Sequence, residues 1–130
     1  MRETVLEPAE IVTEIVLPPP AEGLRSSYRK VRARRAWDFA LAGVALAIVF
    51  SGDQAVDCRM VLSGAAPVPW RSAEGENGIK GRQMDRNRAA KVAAAALKNA
   101  EPMEQNEYKI PLFRGLVEQQ LMAIAQPEYR

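Results

Sequence analysis

Residues 42–62 read Ala42-Gly-Val-Ala-Leu-Ala-Ile-Val-Phe50-Ser-Gly-Asp-Gln-Ala-Val-Asp-Cys-Arg-Met-Val-Leu62. This stretch decides the fold. Ala42–Phe50 is apolar throughout, so periodicity alone fits a buried strand or a buried helix. Gly43 and the Val, Ile and Phe content favour a strand. Ser51-Gly52-Asp53-Gln54 is turn chemistry, since glycine reaches positive φ and the Asp side chain bonds its own backbone. Val56–Leu62 then reads as a second strand, and the two make a hairpin.

Working outward toward the start, Arg25–Arg35 carries Arg25, Arg29, Lys30, Arg32, Arg34 and Arg35. An extended reading of Ser26–Arg35 puts Tyr28, Lys30, Arg32 and Arg34 on one face. Before it, Glu10–Leu17 alternates imperfectly and is rich in Ile, Val and Thr, which predicts a strand with Ile11, Thr13, Ile15 and Leu17 on one side. Pro18, Pro19 and Pro20 end that strand because proline donates no ladder hydrogen bond. The composition changes across Ala21–Leu24, where a domain boundary is expected.

Toward the end, Pro67 and Pro69 stiffen a loop over Gly64–Pro69. Asp85–Asn99 is alanine-rich and predicts a helix, with Asp85 as N-cap and a close-packed stripe of Val92, Ala95, Ala96 and Asn99. Pro102 separates it from a second helix over Tyr108–Ala125, where Leu112, Leu116, Val117, Leu121 and Ile124 recur at helical spacing. Pro111 fits that helix's first turn. A further helix near Arg71–Lys80 is opposed by Gly75 and Gly78. Strands first and helices after is an α+β pattern, with helices packed on one face of an antiparallel sheet.

The chemistry is sparse. Histidine is absent, which removes the commonest general base and metal ligand. One cysteine, Cys58, makes neither an internal disulfide nor a cluster site, and reads as a small apolar strand residue that fits a reducing, cytosolic compartment. The apolar run Phe39–Phe50 falls short of the ~20 residues of a membrane helix. Glu74 and Glu76 read as surface carboxylates of a solvated loop. The net charge of +2 demands no polyanionic partner. The basic run could bind nucleic acid, but only Tyr28 and Trp37 stand near it as stacking aromatics.

Five short motifs in order carry a resemblance. Glu10-Ile-Val-Thr-Glu-Ile-Val-Leu-Pro18 resembles the closing strand of the FAD-binding domain in molybdenum hydroxylases. Ser27-Tyr-Arg-Lys-Val-Arg-Ala-Arg-Arg35 with Trp37-Asp-Phe-Ala40 is similar to the opening of that family's next domain, and the apolar stretch Ala42–Ile48 follows as it does there. Leu62-Ser-Gly-Ala-Ala-Pro-Val-Pro-Trp-Arg71 resembles its glycine-proline-tryptophan loop. Pro102-Met-Glu-Gln-Asn-Glu-Tyr-Lys109 resembles the entry to its last helix. The family holds xanthine, aldehyde and carbon monoxide dehydrogenases, whose medium subunit binds FAD and receives electrons from iron–sulfur clusters.

The resemblance implies a sheet of three to four antiparallel strands covered by three helices. It implies residues 1–24 as the end of the FAD-binding domain with its linker, and 25–130 as the C-terminal domain. Its implied partners are a molybdopterin-binding subunit, an iron–sulfur subunit and the rest of the FAD-binding domain. The glycine-rich loops that hold the pyrophosphate do not occur before residue 10, so this chain by itself is expected to bind little FAD and to be inactive alone. Lys30, eight residues before Asp38, takes the place of the lysine that approaches the flavin. Val12 takes the place of an apolar cofactor contact on the closing strand. Gly75, Asn77 and Gly78 depart from the helix formers of relatives, which weakens the first helix. Two other readings fit the residues: a free-standing interaction module without the cofactor, and a small basic nucleic-acid-binding domain.

Overall fold

The hairpin forms as its sequence predicts. In the computed structural model, which describes residues 4–126, β1 is Leu24–Val31, β2 is Ala42–Ser51 and β3 is Gln54–Ser63. Gly52 has φ 58° while Asp53 does not have positive φ, the arrangement of a II′ hairpin turn. A short β4, Trp70–Arg71, completes an antiparallel sheet in the order β1-β2-β3-β4. Three helices follow: α1 (Ala73–Ile79), α2 (Arg86–Ala96) and α3 (Lys109–Ala125).

Strand alternation divides the sheet into two faces. Ala42, Val44, Leu46 and Ile48 of β2 are buried with Cys58, Met60 and Leu62 of β3. They form one core with Ile79 of α1, Val92 of α2 and Phe113, Val117 and Leu121 of α3. The opposite face holds Ala45, Ala47 and Val49, which stay part-exposed. Arg25 fastens one side of this stack. Its Nη1 donates to the Ile124 and Ala125 carbonyls at 3.3 Å, capping α3, and its guanidinium lies 4.6 Å from the Phe50 ring centre.

Five sequence expectations need correction. Glu10–Leu17 is not a strand: the segment pairs with no other, and Ile11, Ile15 and Leu17 are exposed. Period-2 patterning needs a neighbouring strand to satisfy its backbone, and none of the described strands takes it. The basic strand ends at Val31, so Arg32, Arg34 and Arg35 lie in a loop that bends before β2. The small-residue stripe of α2 is Ala89, Val92, Ala93 and Ala96, whereas Asn99 lies beyond the helix and is exposed.

The fourth correction is α1, which forms despite its glycines. A Cβ on Gly75 would lie 2.8 Å from Met60 Sδ and 3.1 Å from Ala96 Cβ. One on Gly78 would lie 3.0 Å from Val92 Cγ2. The glycines let α1 approach β3 and α2 closely, and that contact outweighs their poor helix propensity, about 1 kcal/mol each. Ser72 caps the helix: its Oγ accepts the Gly75 N–H and donates to the Ala96 carbonyl, both at 3.2 Å. The same turn takes Glu76 out of solvent, so it is no loop carboxylate.

Candidate functional site

The open face of the sheet is built by register. Leu24, Ser26, Tyr28 and Lys30 of β1 sit opposite Val49, Ala47, Ala45 and Gly43 of β2. Facing partners in an antiparallel pair point to the same side. Across β2, Gly43 and Ala45 face Ser63 and Val61 of β3. The result is a floor of small residues, with Tyr28 and Lys30 standing on one side of it.

Gly43 is required there. A Cβ at that position would lie 2.1 Å from Ser63 Oγ and 3.4 Å from the Tyr28 hydroxyl. Ser63 Oγ is buried beside Gly43 and has no hydrogen-bond partner. Lys30 Nζ donates to the Asp38 carbonyl at 3.0 Å. An ammonium has three N–H donors, so two are left for an acceptor. Asp38 in turn holds the β1–β2 loop: Oδ1 accepts the Phe39 N–H at 3.0 Å and Oδ2 accepts the Arg34 N–H at 3.3 Å.

The two residues expected at the cofactor therefore part company. Lys30 stands on the open face. Val12 lies in the extended segment before β1, is 65% exposed, and belongs to no strand beside Lys30. Tyr28, Gly43 and Ser63 join Lys30 on the face and were not read from the sequence as site residues. Tyr28 carried a signal, two positions before Lys30 in a strand. Gly43 and Ser63 carried none, because they meet only through the β2–β3 register.

Other titratable groups serve the scaffold. Asp57 accepts from Lys80 at 3.0 Å and Arg59 at 2.8 Å, and these bonds hold its carboxyl down to about 2. Burial pushes the Cys58 thiol up to about 12, which removes it as a nucleophile. No group of three potential metal ligands occurs among the described residues. No described helix is long and apolar enough to cross a membrane. The face lacks a nucleophile paired with a base. It can bind a planar group that tolerates a cation at its edge, and the small floor lets such a group lie close.

Fold and face together define an α+β domain whose sheet keeps one face free of helices. Residues 26–124 match the model of the CO dehydrogenase flavoprotein C-terminal domain, and the chain belongs to that family. It is 34% identical over 111 residues to the FAD-binding subunit of the Escherichia coli aldehyde oxidoreductase, covering 85% of this chain and 31% of that protein. It is 30% identical over 124 residues to the carbon monoxide dehydrogenase medium chain of Hydrogenophaga pseudoflava, covering 92% and 43% respectively. The solved carbon monoxide dehydrogenase from Hydrogenophaga pseudoflava matches with TM-score 0.75 and 28% identity over 83% of this chain and 39% of that one. Quinoline 2-oxidoreductase from Pseudomonas putida 86 shares the fold, with TM-score 0.76 at 20% identity over 88% of this chain and 40% of that one. The chain thus spans between 31% and 43% of the length of these two curated relatives.

Proposed function

We propose that this chain is the C-terminal domain of the FAD-carrying medium subunit of a molybdenum-dependent hydroxylase or dehydrogenase, where it helps to enclose the flavin. The observation that carries the reading is the family match over residues 26–124. In this reading residues 25–130 are the domain, and residues 1–24 are a linker with the segment that would pair as closing strand only within the adjoining FAD-binding domain. A molybdopterin-binding subunit and an iron–sulfur subunit are the partners, in keeping with relatives named as medium chains.

The open face suits a flavin on grounds of its own. Ala45 and Ala47, both part-exposed, present little bulk to a flat ring system. Lys30 and Tyr28 supply polar atoms beside that floor. Bound FAD would supply the electron-accepting centre. The work of this chain is to shield that centre from water and to place the Lys30 ammonium where negative charge grows. A cation ~4 Å from such a charge contributes up to about 4 kcal/mol at an effective dielectric near 20. Val12 would add an apolar contact once its segment pairs within the adjoining domain. The test is Lys30→Met in the assembled enzyme, read by flavin content, redox titration and reduction of the molybdenum centre by substrate. The expected result is lower FAD occupancy or a lower flavin potential, with reduction at the molybdenum centre near normal. Unchanged occupancy and potential would return Lys30 to an ordinary surface lysine.

A further inference from the structure

The Lys30 ammonium donates to a backbone carbonyl, that of Asp38, at 3.0 Å and eight residues along the chain. Strand β1 ends at Val31, so the chain must turn back to bring that carbonyl to Lys30. Several contacts hold the turn. At its base the Leu41 N–H donates to the Val31 carbonyl at 2.9 Å. The β3–β4 loop lies close against it, since a Cβ on Gly64 would stand 2.7 Å from the Ala40 carbonyl oxygen. Within the turn, the Asp38 carboxylate accepts the Arg34 N–H at 3.3 Å through Oδ2 and the Phe39 N–H at 3.0 Å through Oδ1.

The backbone bonds, more than the ion pair, hold this turn. The Arg34 guanidinium stands 3.8 Å from Oδ2, and its side chain is 75% exposed. A pair so placed adds little. Hydrogen bonds from N–H groups to an ionised carboxylate are stronger than those between neutral groups. The turn needs them, because Trp37 has φ 48°, a conformation that costs a bulky residue free energy. Asp38, the next residue, offsets that cost through the N–H groups of Arg34 and Phe39.

A lysine has a long flexible stem, and an ammonium free in solvent spreads its charge over many rotamers. Bonded to a fixed carbonyl, the Lys30 ammonium stands at one place beside Gly43, its partner in the β1–β2 register. We propose that Asp38 is a positioning residue of the flavin site: its carboxylate fixes the turn whose carbonyl holds Lys30, and through Lys30 it raises the flavin's reduction potential. This rests on the flavin reading of Lys30. The sign of the effect separates placement from a direct action of the Asp38 charge. A carboxylate acting by its own field opposes negative charge on the flavin, so removing it would raise the potential. A carboxylate that places a cation has the opposite effect, and removing it lowers the potential.

The experiment is redox titration of the flavin in the assembled enzyme, with flavin content read beside it. Asp38→Ala is expected to lower the potential, by a smaller shift than Lys30→Met, because the lysine is loosened and not removed. Asp38→Glu keeps the charge but moves the carboxylate off the two N–H groups, and it should lower the potential too. Asp38→Asn loses the charge but keeps an oxygen acceptor, and it should not lower the potential. In the Lys30→Met background, Asp38→Ala should add nothing, since no ammonium is left to place. Should Asp38→Ala fail to assemble, the Glu and Asn variants decide alone. A potential that is unchanged or raised in Asp38→Ala and Asp38→Glu overturns the proposal. So does a potential lowered in Asp38→Asn, or an Asp38→Ala shift that persists without Lys30. If Lys30→Met lowers the potential and the Asp38 variants do not, the positioning role alone fails. If Lys30→Met leaves both potential and flavin content unchanged, the flavin reading fails and this inference with it.

Discussion

Arg71 and Glu76 meet in a two-pronged ion pair, Nε to Oε1 and Nη2 to Oε2, both at 2.8 Å. Glu76 is 3% exposed, and its Oε1 also accepts the Met60 N–H at 3.0 Å. One carboxylate thus ties α1 to β3 and β4. Removing it leaves the Met60 N–H buried without a partner, while the Arg71 side chain, half in solvent, can rehydrate. Glu76→Ala should cost about 2 kcal/mol, the range for a lost charged hydrogen bond with an orphaned donor. Urea unfolding measures it. A loss below about 0.5 kcal/mol would mean that the pair behaves as an ordinary surface bridge.

The same pair sets a pH dependence. The Arg71 guanidinium holds the Glu76 carboxyl below its usual 4.5, with the Met60 N–H assisting against burial. A folded-state pKa below the unfolded one gives stability that is complete above the unfolded value and is lost as pH falls through the folded one. Stability should therefore be level near neutrality and decline below about pH 4.5. In Glu76→Gln that decline should be shallower, because the titrating group is gone and the amide oxygen still accepts from Met60. Denaturation midpoints of both proteins across the acid range compare the slopes, and parallel curves would remove Glu76 from the account.

Gly75 and Gly78 make opposite demands on α1. Alanine favours a helix over glycine by about 1 kcal/mol. At Gly75 the new methyl meets Met60 Sδ at 2.8 Å, Ser72 Oγ at 3.0 Å and Ala96 Cβ at 3.1 Å. Three buried neighbours must shift together, and overpacking of that kind costs typically 1–3 kcal/mol, about enough to outweigh the propensity gain. Gly78 has one tight neighbour, Val92 Cγ2 at 3.0 Å. Gly75→Ala should lower the melting temperature, and Gly78→Ala should leave it near that of the parent. A Gly75→Ala protein as stable as the parent would show that α1 can slide away from α2.

The parts of the fold legible in the sequence are those that local patterning determines. Ala42–Leu62 announced its own hairpin, and the α3 stripe announced its buried side. The misread parts depend on neighbours distant in sequence. Gly75 and Gly78 look like helix breakers until Met60, Ala96 and Val92 are placed against them. Glu76 looks like a surface residue until Arg71 and the Met60 N–H close on it. Glu10–Leu17 has strand composition but none of the described strands beside it to complete a ladder. For the open face, Tyr28 and Lys30 share a side by simple alternation. The Gly43–Ser63 contact exists only because of the β2–β3 register, which residue types do not specify alone.

Trp37 combines a strained backbone with a side chain that packs on nothing. Its φ of 48° is left-handed, and its side chain is 97% exposed. Left-handed geometry costs an ordinary residue roughly 1–2 kcal/mol, while Asn visits it with local hydrogen bonding and Gly without steric penalty. Glycine returns part of the gain by enlarging the freedom of the unfolded chain, by about 0.5–1 kcal/mol. Asparagine returns less. Trp37→Asn should therefore raise the unfolding free energy by about 0.5–1 kcal/mol, and Trp37→Gly should change it less. Removing a tryptophan usually destabilises a protein, so the sign is diagnostic. The measurement is chemical unfolding in dilute solution, where association does not contribute. A loss of more than about 1 kcal/mol in Trp37→Asn would show that the ring packs against the fold rather than standing free.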